Sequence, residues 1–335
     1  MPVPSPASIL ECWTDSERYL DIRSLRDFHR LFRRFGQCGQ YLFRGVGDST
    51  WNLETSLERA VIDAASTRDG LDDRRALYEK GLMSTRVPHR TFKPYDIELS
   101  LLREFQRHYH HFSTHLPLVD DKAEWYAMMQ HHGAPTRWLD WTHAFGVAVF
   151  FAVHTSESRE CAVYALHRRS LIGASMAAIS HKRETLPSQI DEDKHFQNPE
   201  LFTEVFESGD LTTVVPLNPY RLNQRLIIQQ GHFLVPTNVR VSFEANLAAA
   251  LKEMAKYAPS DSEIMASDKT PEKPLKKIVI HADPKLYREI LRSLRSMNVS
   301  RATLFPGLDG FSQSLGNRLG APDELIPISP NDAWK

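Results

Sequence analysis

The sequence predicts an α+β protein: one mixed α/β domain with helical insertions. Three observations predict it. Short apolar runs at 41–43, 161–167 and 278–280 have the length and composition of strands. Segments with apolar residues at helical spacing stand between them. Neither an internal repeat, nor a heptad run, nor a flexible linker divides the 335 residues.

Each element follows in order. Residues 21–36 place Leu25, Phe28, Leu31 and Phe32 at helical spacing and end on glycine, an amphipathic helix within an N-terminal helical segment, 1–38. The strand at 41–43 runs straight into Arg44 and Gly45. Residues 70–113 are charged and helical, with Phe105, Tyr109 and Phe112 on one face. The stretch 125–142 reads as helix into loop, 143–154 as a buried helix and 161–167 as a strand. Polar insertions are expected near 180–212 and 257–275. Between them, 226–235 has a strand signal interrupted by Gly231. A strand at 278–280, a helix from Pro284 and a short strand over 302–305 complete a domain spanning 39–310. Residues 311–335 are left as a C-terminal tail.

Composition narrows the function classes. A total of 41 Lys+Arg against 42 Asp+Glu argues against a broad basic face for nucleic acid, and leaves room for a local basic site. Cys12, Cys38 and Cys161 form no CxxC pair, so a reducing, cytoplasmic setting is expected. The first residues lack a basic region followed by an apolar run, unlike a secretory signal. The longest apolar run, 144–153, is too short to cross a bilayer, and no membrane partner is expected.

The chemistry-bearing candidates are few. Arg44, at the end of an apolar strand, must either pair inside the fold or meet an anionic ligand; Asp140 and Glu104 are the candidate internal partners. His108, His111 and His115 can share a helical face with Glu104, as metal ligands or as a solvated surface. His131 and His132 are adjacent and point in different directions. GxSxG, Walker and GxGxxG sequences are lacking, and Cys161 lies in an apolar strand where a thiol is a small hydrophobe. The densest polar–aromatic cluster is GAPTRWLDWT, 133–142. It makes either a pocket walled by its tryptophans or a packed turn in which Arg137 pairs with Asp140 and Thr142 caps the next helix. QQGHF, 229–233, is a weaker third cluster.

These clusters fall in a familiar order: Phe43-Arg44-Gly45, Trp51, Leu53, Ser56-Leu57 and Arg59; Glu104-Phe105; Gln130-His131, Gly133, Pro135-Thr136-Arg137 and Leu139-Asp140-Trp141-Thr142; Gln229-Gln230-Gly231; Leu304-Phe305-Pro306. The series resembles the FRG domain family, named for its Phe-Arg-Gly motif, over roughly residues 40–310.

A more distant resemblance is to the ADP-ribosyltransferase fold. There an arginine on the first strand anchors NAD, a second motif contacts the nicotinamide ribose, and a late glutamate stabilises the transition state. The resemblance implies Arg44 as anchor, Asp140, Trp141 and Thr142 as second motif, and Gln230 or His232 near the third. Arg44, Asp140 and Gln230 are thus the implied catalytic residues. Gly45, Thr136, Arg137, Trp141, Thr142, His132 and His232 join Arg44 in binding the ligand. NAD is the implied co-substrate and no metal is expected. The implied activity is ADP-ribosyl transfer to a protein or nucleic-acid acceptor, or NAD hydrolysis, in a prokaryotic toxin or defence effector. QQGHFLVP departs from the pattern, because it has no glutamate. Asp140 is the nearest carboxylate to replace it. The alternatives are a non-catalytic nucleotide- or partner-binding module and, more distantly, a metal-dependent hydrolase.

Overall fold

A computed structural model of the chain describes residues 14–15, 20–36, 39–69, 74–84, 86, 90–114, 116–157, 159–180, 196, 198–254 and 274–318. In chain order they form β1 (Thr14–Asp15), α1 (Leu25–Gly36), β2 (Tyr41–Val46), α2 (Ser56–Asp69), α3 (Arg74–Lys80), β3 (Leu82–Met83), β4 (Thr91–Phe92) and α4 (Pro94–Tyr109). Next come α5 (Lys122–His131), β5 (Leu139–Thr142), α6 (Phe145–His154), β6 (Cys161–His167), α7 (Arg168–Ser180), α8 (Pro199–Phe206) and β7 (Val214–Leu217). The chain continues through α9 (Gln224–Ile228), β8 (Gly231–Pro236), α10 (Phe243–Met254), β9 (Leu275–Ile280), α11 (Pro284–Ser296), α12 (Arg301–Leu304) and α13 (Leu308–Arg318).

The architecture is a single mixed α/β domain with two sheets. The larger has strand order β1-β9-β6-β2-β5-β8-β7 and is antiparallel except for β1 beside β9; β3 and β4 pair separately. β6 is apolar at nearly every position because both its faces are covered. On one face Val163 joins Phe43 and Ile278 under α1, α6 and α11, through Phe28, Phe145 and Leu294. On the other, Tyr164 joins Leu42 and Leu275 under α7 and α10, through Leu171, Phe243 and Leu247. Helices α4, α5 and α8 cover the β5–β8–β7 end through Trp125, Tyr126 and Phe202. β1 and α1 therefore share the sheet and core of the region that follows.

The sheet is not uniformly joined. β2 pairs with β6 from Tyr41↔His167 through Val46↔Ala162, whereas β2 meets β5 only at Phe43↔Thr142. Two half-sheets, β1-β9-β6-β2 and β5-β8-β7, therefore part beyond that contact. Helix α6, entered directly from β5, packs against β2 at Gly45. A Cβ there would lie 2.0 Å from the Ala148 carbonyl oxygen and 2.7 Å from the Ala152 nitrogen. Only glycine permits that approach.

Several local expectations need correction. Residues 226–235 are not one strand. Asn223 caps α9 by accepting from Leu226 N (2.8 Å), and Gln230 turns the chain into β8 with a left-handed φ of 46°. Residues 302–305 are not a strand either: Ser300 and Thr303 form a reciprocal capping box that starts α12. The loop expected after α5 ends in β5. The polar stretch near 180–212 contains α8, with Leu201, Phe202, Val205 and Phe206 buried. Residues 181–195 and 197 of that stretch, and 257–273 of the second, lie outside the described residues. The apolar run 144–153 falls in α6, and no helix among the described residues is long and apolar enough to cross a membrane.

Candidate functional site

Where the half-sheets part, a cavity of about 980 Å³ opens. Arg44 and Gly45 line it from β2, and Asp140, Trp141 and Thr142 from β5. Ala148, Phe151 and His154 of α6 line it too, as do Trp51, Glu54, Arg59, Arg74, Arg225 and Gln229. Five residues expected at a site thus meet here.

Arg44 is only partly satisfied. Its Nη1 donates to the Asp140 carbonyl oxygen at 2.5 Å, so it bridges the gap between the half-sheets. Its buried Nε has no hydrogen-bond partner among the described residues. Burial lowers its pKa to about 10, against the support of Asp140 and with the opposition of Arg59. The nearby Arg74 is different, since it grips the Glu54 carboxylate with Nε (2.9 Å) and Nη2 (2.7 Å).

Asp140 does not pair with either arginine through its carboxylate. Its Oδ2 accepts from Gln130 Nε2 at 2.7 Å, and Gln130 Oε1 in turn accepts from Thr136 Oγ1 at 2.5 Å. Thr136, though outside the cavity wall, therefore orients Asp140 through Gln130. Arg137 is not Asp140's partner: it is buried against Glu98, with Nε–Oε1 at 2.7 Å and a second contact from Nη2 to Oε2. Nη1 donates to the Phe206 carbonyl at 2.7 Å. Burial opposes the Arg137 charge, but Glu98 outweighs it and holds the pKa above its ordinary value. Arg137 thus joins β5 to α4 and α8, away from the cavity.

Thr142 donates to the Gln229 carbonyl (2.6 Å) and accepts from Ala144 N (3.0 Å), fastening both sides of the entry to α6. Gln229 faces the cavity, whereas Gln230 is exposed and does not line it. The left-handed turn at Gln230 separates the two. His232 is buried opposite Trp141 in β8, and burial, with His143 and Arg168, pushes its pKa well below the ordinary value. His132 is exposed at the end of α5, against Tyr109. Trp141 is 3 % exposed and belongs to the core, while Trp51 is 52 % exposed at the cavity wall. Trp51 is the ring available for stacking.

Sequence reasoning did not assign Arg225, His154, Trp51 or Gln229 to the site. Trp51 lies in the motif series that resembles the FRG domain, and Arg225 immediately precedes the run 226–235, whose sequence favours a strand. His154 Nε2 lies 2.9 Å from Arg301 Nη1. Arginine only donates, so Nε2 accepts and the ring is neutral. Burial and Arg301 both lower its pKa.

Two further groups of acids and histidines lie outside the cavity lining. Glu58 accepts from Thr55 N (2.6 Å) and Phe243 N (2.7 Å), and Glu244 from Leu53 N (2.9 Å). Burial raises their pKa values to about 7 and about 8. His108 is exposed and hydrogen-bonded to the Glu104 carbonyl; His115 lies outside the described residues. Among the described residues no group of three or more His, Cys, Asp and Glu is arranged to hold a metal ion. Glu104 pairs with Arg107 and His108 on the exposed face of α4.

Comparison with known proteins finds one family model that matches part of the chain. The model of the FRG domain matches residues 39–161, from the start of β2 to the start of β6. That segment carries Arg44, Gly45, Trp51, Asp140, Trp141, Thr142 and His154, but not Arg225 or Gln229. No curated protein and no solved structure matches the chain.

Proposed function

We propose that the cavity between β2 and β5 binds NAD or a related nucleotide, and that the nicotinamide–ribose bond is cleaved there. Arg44 carries this reading. A half-buried guanidinium, tied to one backbone carbonyl and left with a buried, unpartnered Nε, is completed by phosphate oxygens. The exposed Trp51 offers a stacking face for a base. The likeness of the fold to an ADP-ribosyltransferase is supported by chain order, Arg44 on β2 and the Asp140–Thr142 strand leading into α6.

In cleavage the electron pair of the glycosidic bond leaves with nicotinamide, and positive charge grows on the ribose. Water or an acceptor then adds to the ribose and loses a proton. The Asp140 carboxylate, oriented by Gln130, is the group we assign to stabilise that charge. Purified protein with NAD should release nicotinamide. Asp140→Asn should keep binding and lower release by about a hundredfold, while Arg44→Ala should lose both. Absence of both nicotinamide release and NAD-induced thermal stabilisation would remove the reading. Binding without turnover is the second reading, favoured by β8, whose sequence GHFLVP brings no carboxylate to the site. Stabilisation by NAD or ADP-ribose without product would select it.

A further inference from the structure

Arg225 lines the cavity together with Arg44, Arg59 and Arg74 and, unlike them, lies outside the family match. Its guanidinium carbon sits 4.6 Å from the Phe305 ring centroid, and Arg301 sits 4.9 Å from the same ring. The two arginines are differently employed. Arg301 is bound to His154 and Gln313. The side chain of Arg225 makes no hydrogen bond or ion pair among the described residues. It is half-buried, so its charge is disfavoured by lost water and by Arg301, and is supported by Asp140. The Arg44 charge is likewise disfavoured by burial and supported by Asp140, with Arg59 as the opposing cation. Two under-satisfied guanidinium groups from different elements therefore line one cavity together with Asp140. The planar face of Arg225 is spent on Phe305, which leaves its N–H edge for a ligand.

We propose that Arg225, held by Phe305, forms a second phosphate subsite beside Arg44, so that the cavity selects a ligand with two linked phosphates. This rests on the nucleotide reading of the same cavity and adds its discriminating group. Arg44 comes from β2 and Arg225 from α9, so a single phosphate engages one of them fully, whereas a diphosphate engages both. Phe305 thereby acts as a positioning residue.

The test titrates inorganic pyrophosphate and orthophosphate into the full chain at constant ionic strength, read by calorimetry and thermal shift. The wild type should prefer pyrophosphate by about tenfold or more. Arg225→Ala should reduce that preference to about twofold or less while keeping orthophosphate binding. Arg44→Ala should weaken both ligands. Phe305→Leu should weaken pyrophosphate selectively with Arg225 still present. Arg107→Ala, which removes an exposed charge on α4, should change neither. Equal affinities in the wild type, or an unchanged preference in Arg225→Ala, would overturn the subsite. Unliganded melting temperatures identify variants that fail to fold, and Arg225→Lys then serves instead, with the same expected loss of preference. NAD and ADP-ribose separate the two readings. If neither binds while pyrophosphate selectivity depends on Arg225, the subsite stands and the nucleotide reading fails. If ADP-ribose binds equally well to Arg225→Ala, the subsite fails and the nucleotide reading stands.

Discussion

Arg137 is buried and Arg44 half-buried, and their surroundings differ completely. Arg137 is enclosed by Glu98 and the Phe206 carbonyl, with both Glu98 oxygens engaged. Arg44 has one backbone carbonyl and faces a cavity. A buried charge with a matched counter-charge is a structural tie; a desolvated charge without one is stabilised by whatever anion arrives. The helical layer over β5-β8-β7 is thus complete in itself, and the parted seam between the half-sheets is not.

The largest expected effect breaks the complete side. Arg137→Ala leaves Glu98 buried without its partner and should cost about 3–5 kcal/mol, read from urea unfolding. Replacing both residues, Arg137→Met with Glu98→Met, should recover more than half of that loss, because no charge is then left alone. Failure of the double variant to recover would mean that the tie does more than neutralise charge. Next in size is Gly45→Ala. The added methyl meets backbone atoms of α6 at 2.0 and 2.7 Å, which cannot rotate away, so the helix must shift. A loss of about 2–3 kcal/mol is expected, together with weakened pyrophosphate binding as Arg44 moves with its strand.

Much of this was legible in the residues. The strand at Cys161–His167, the helix from Pro284 and the buried helix after Thr142 follow from local periodicity and caps, and they stand in the structure. The family resemblance is matched over 39–161. What was illegible depends on long-range contact. Nothing local says that Arg137 chooses Glu98, 39 positions away, over Asp140, three positions away. Gly45 reads as room for a ligand until the α6 backbone is found against it. Gln230 and Gln229 look equivalent until a left-handed residue turns one out and leaves the other at the cavity. Arg225 was missed because Leu-Ile-Ile favours a strand and only the Asn223 cap commits it to helix.

A smaller effect tests the acidic pair beside the cavity. Glu58 and Glu244 keep protons up to about 7 and about 8 when folded, against 4.5 as the ordinary value for a glutamate. The folded state thus binds more protons than the unfolded state across that window. Their contribution to stability is complete below about 4.5 and is lost as pH rises towards 8. Glu244 Oε2 is buried without a partner, while Oε1 holds Leu53 N. Glu244→Gln keeps that bond and removes the charge. It should raise stability at pH 8 by about 1 kcal/mol and change it little at pH 5. A gain equal at both pH values would show that lost charge is not its cause.

The smallest expected change in stability is also the most informative. Arg44→Met fills the same gap between β2 and β5 with an apolar chain and removes a desolvated charge that one carbonyl only partly satisfies. Replacing an incompletely paired buried ion with a hydrophobe of similar length is neutral or stabilising. Its unliganded melting temperature should therefore match or exceed the wild type's, in contrast to Arg137→Ala. Pyrophosphate at a hundred times its dissociation constant should stabilise the wild type by about 2.7 kcal/mol and the variant by almost nothing. A variant that unfolds as Arg137→Ala does would place Arg44 among the structural ties. A stable variant that has lost its ligand response marks the guanidinium as belonging to the anion rather than to the fold.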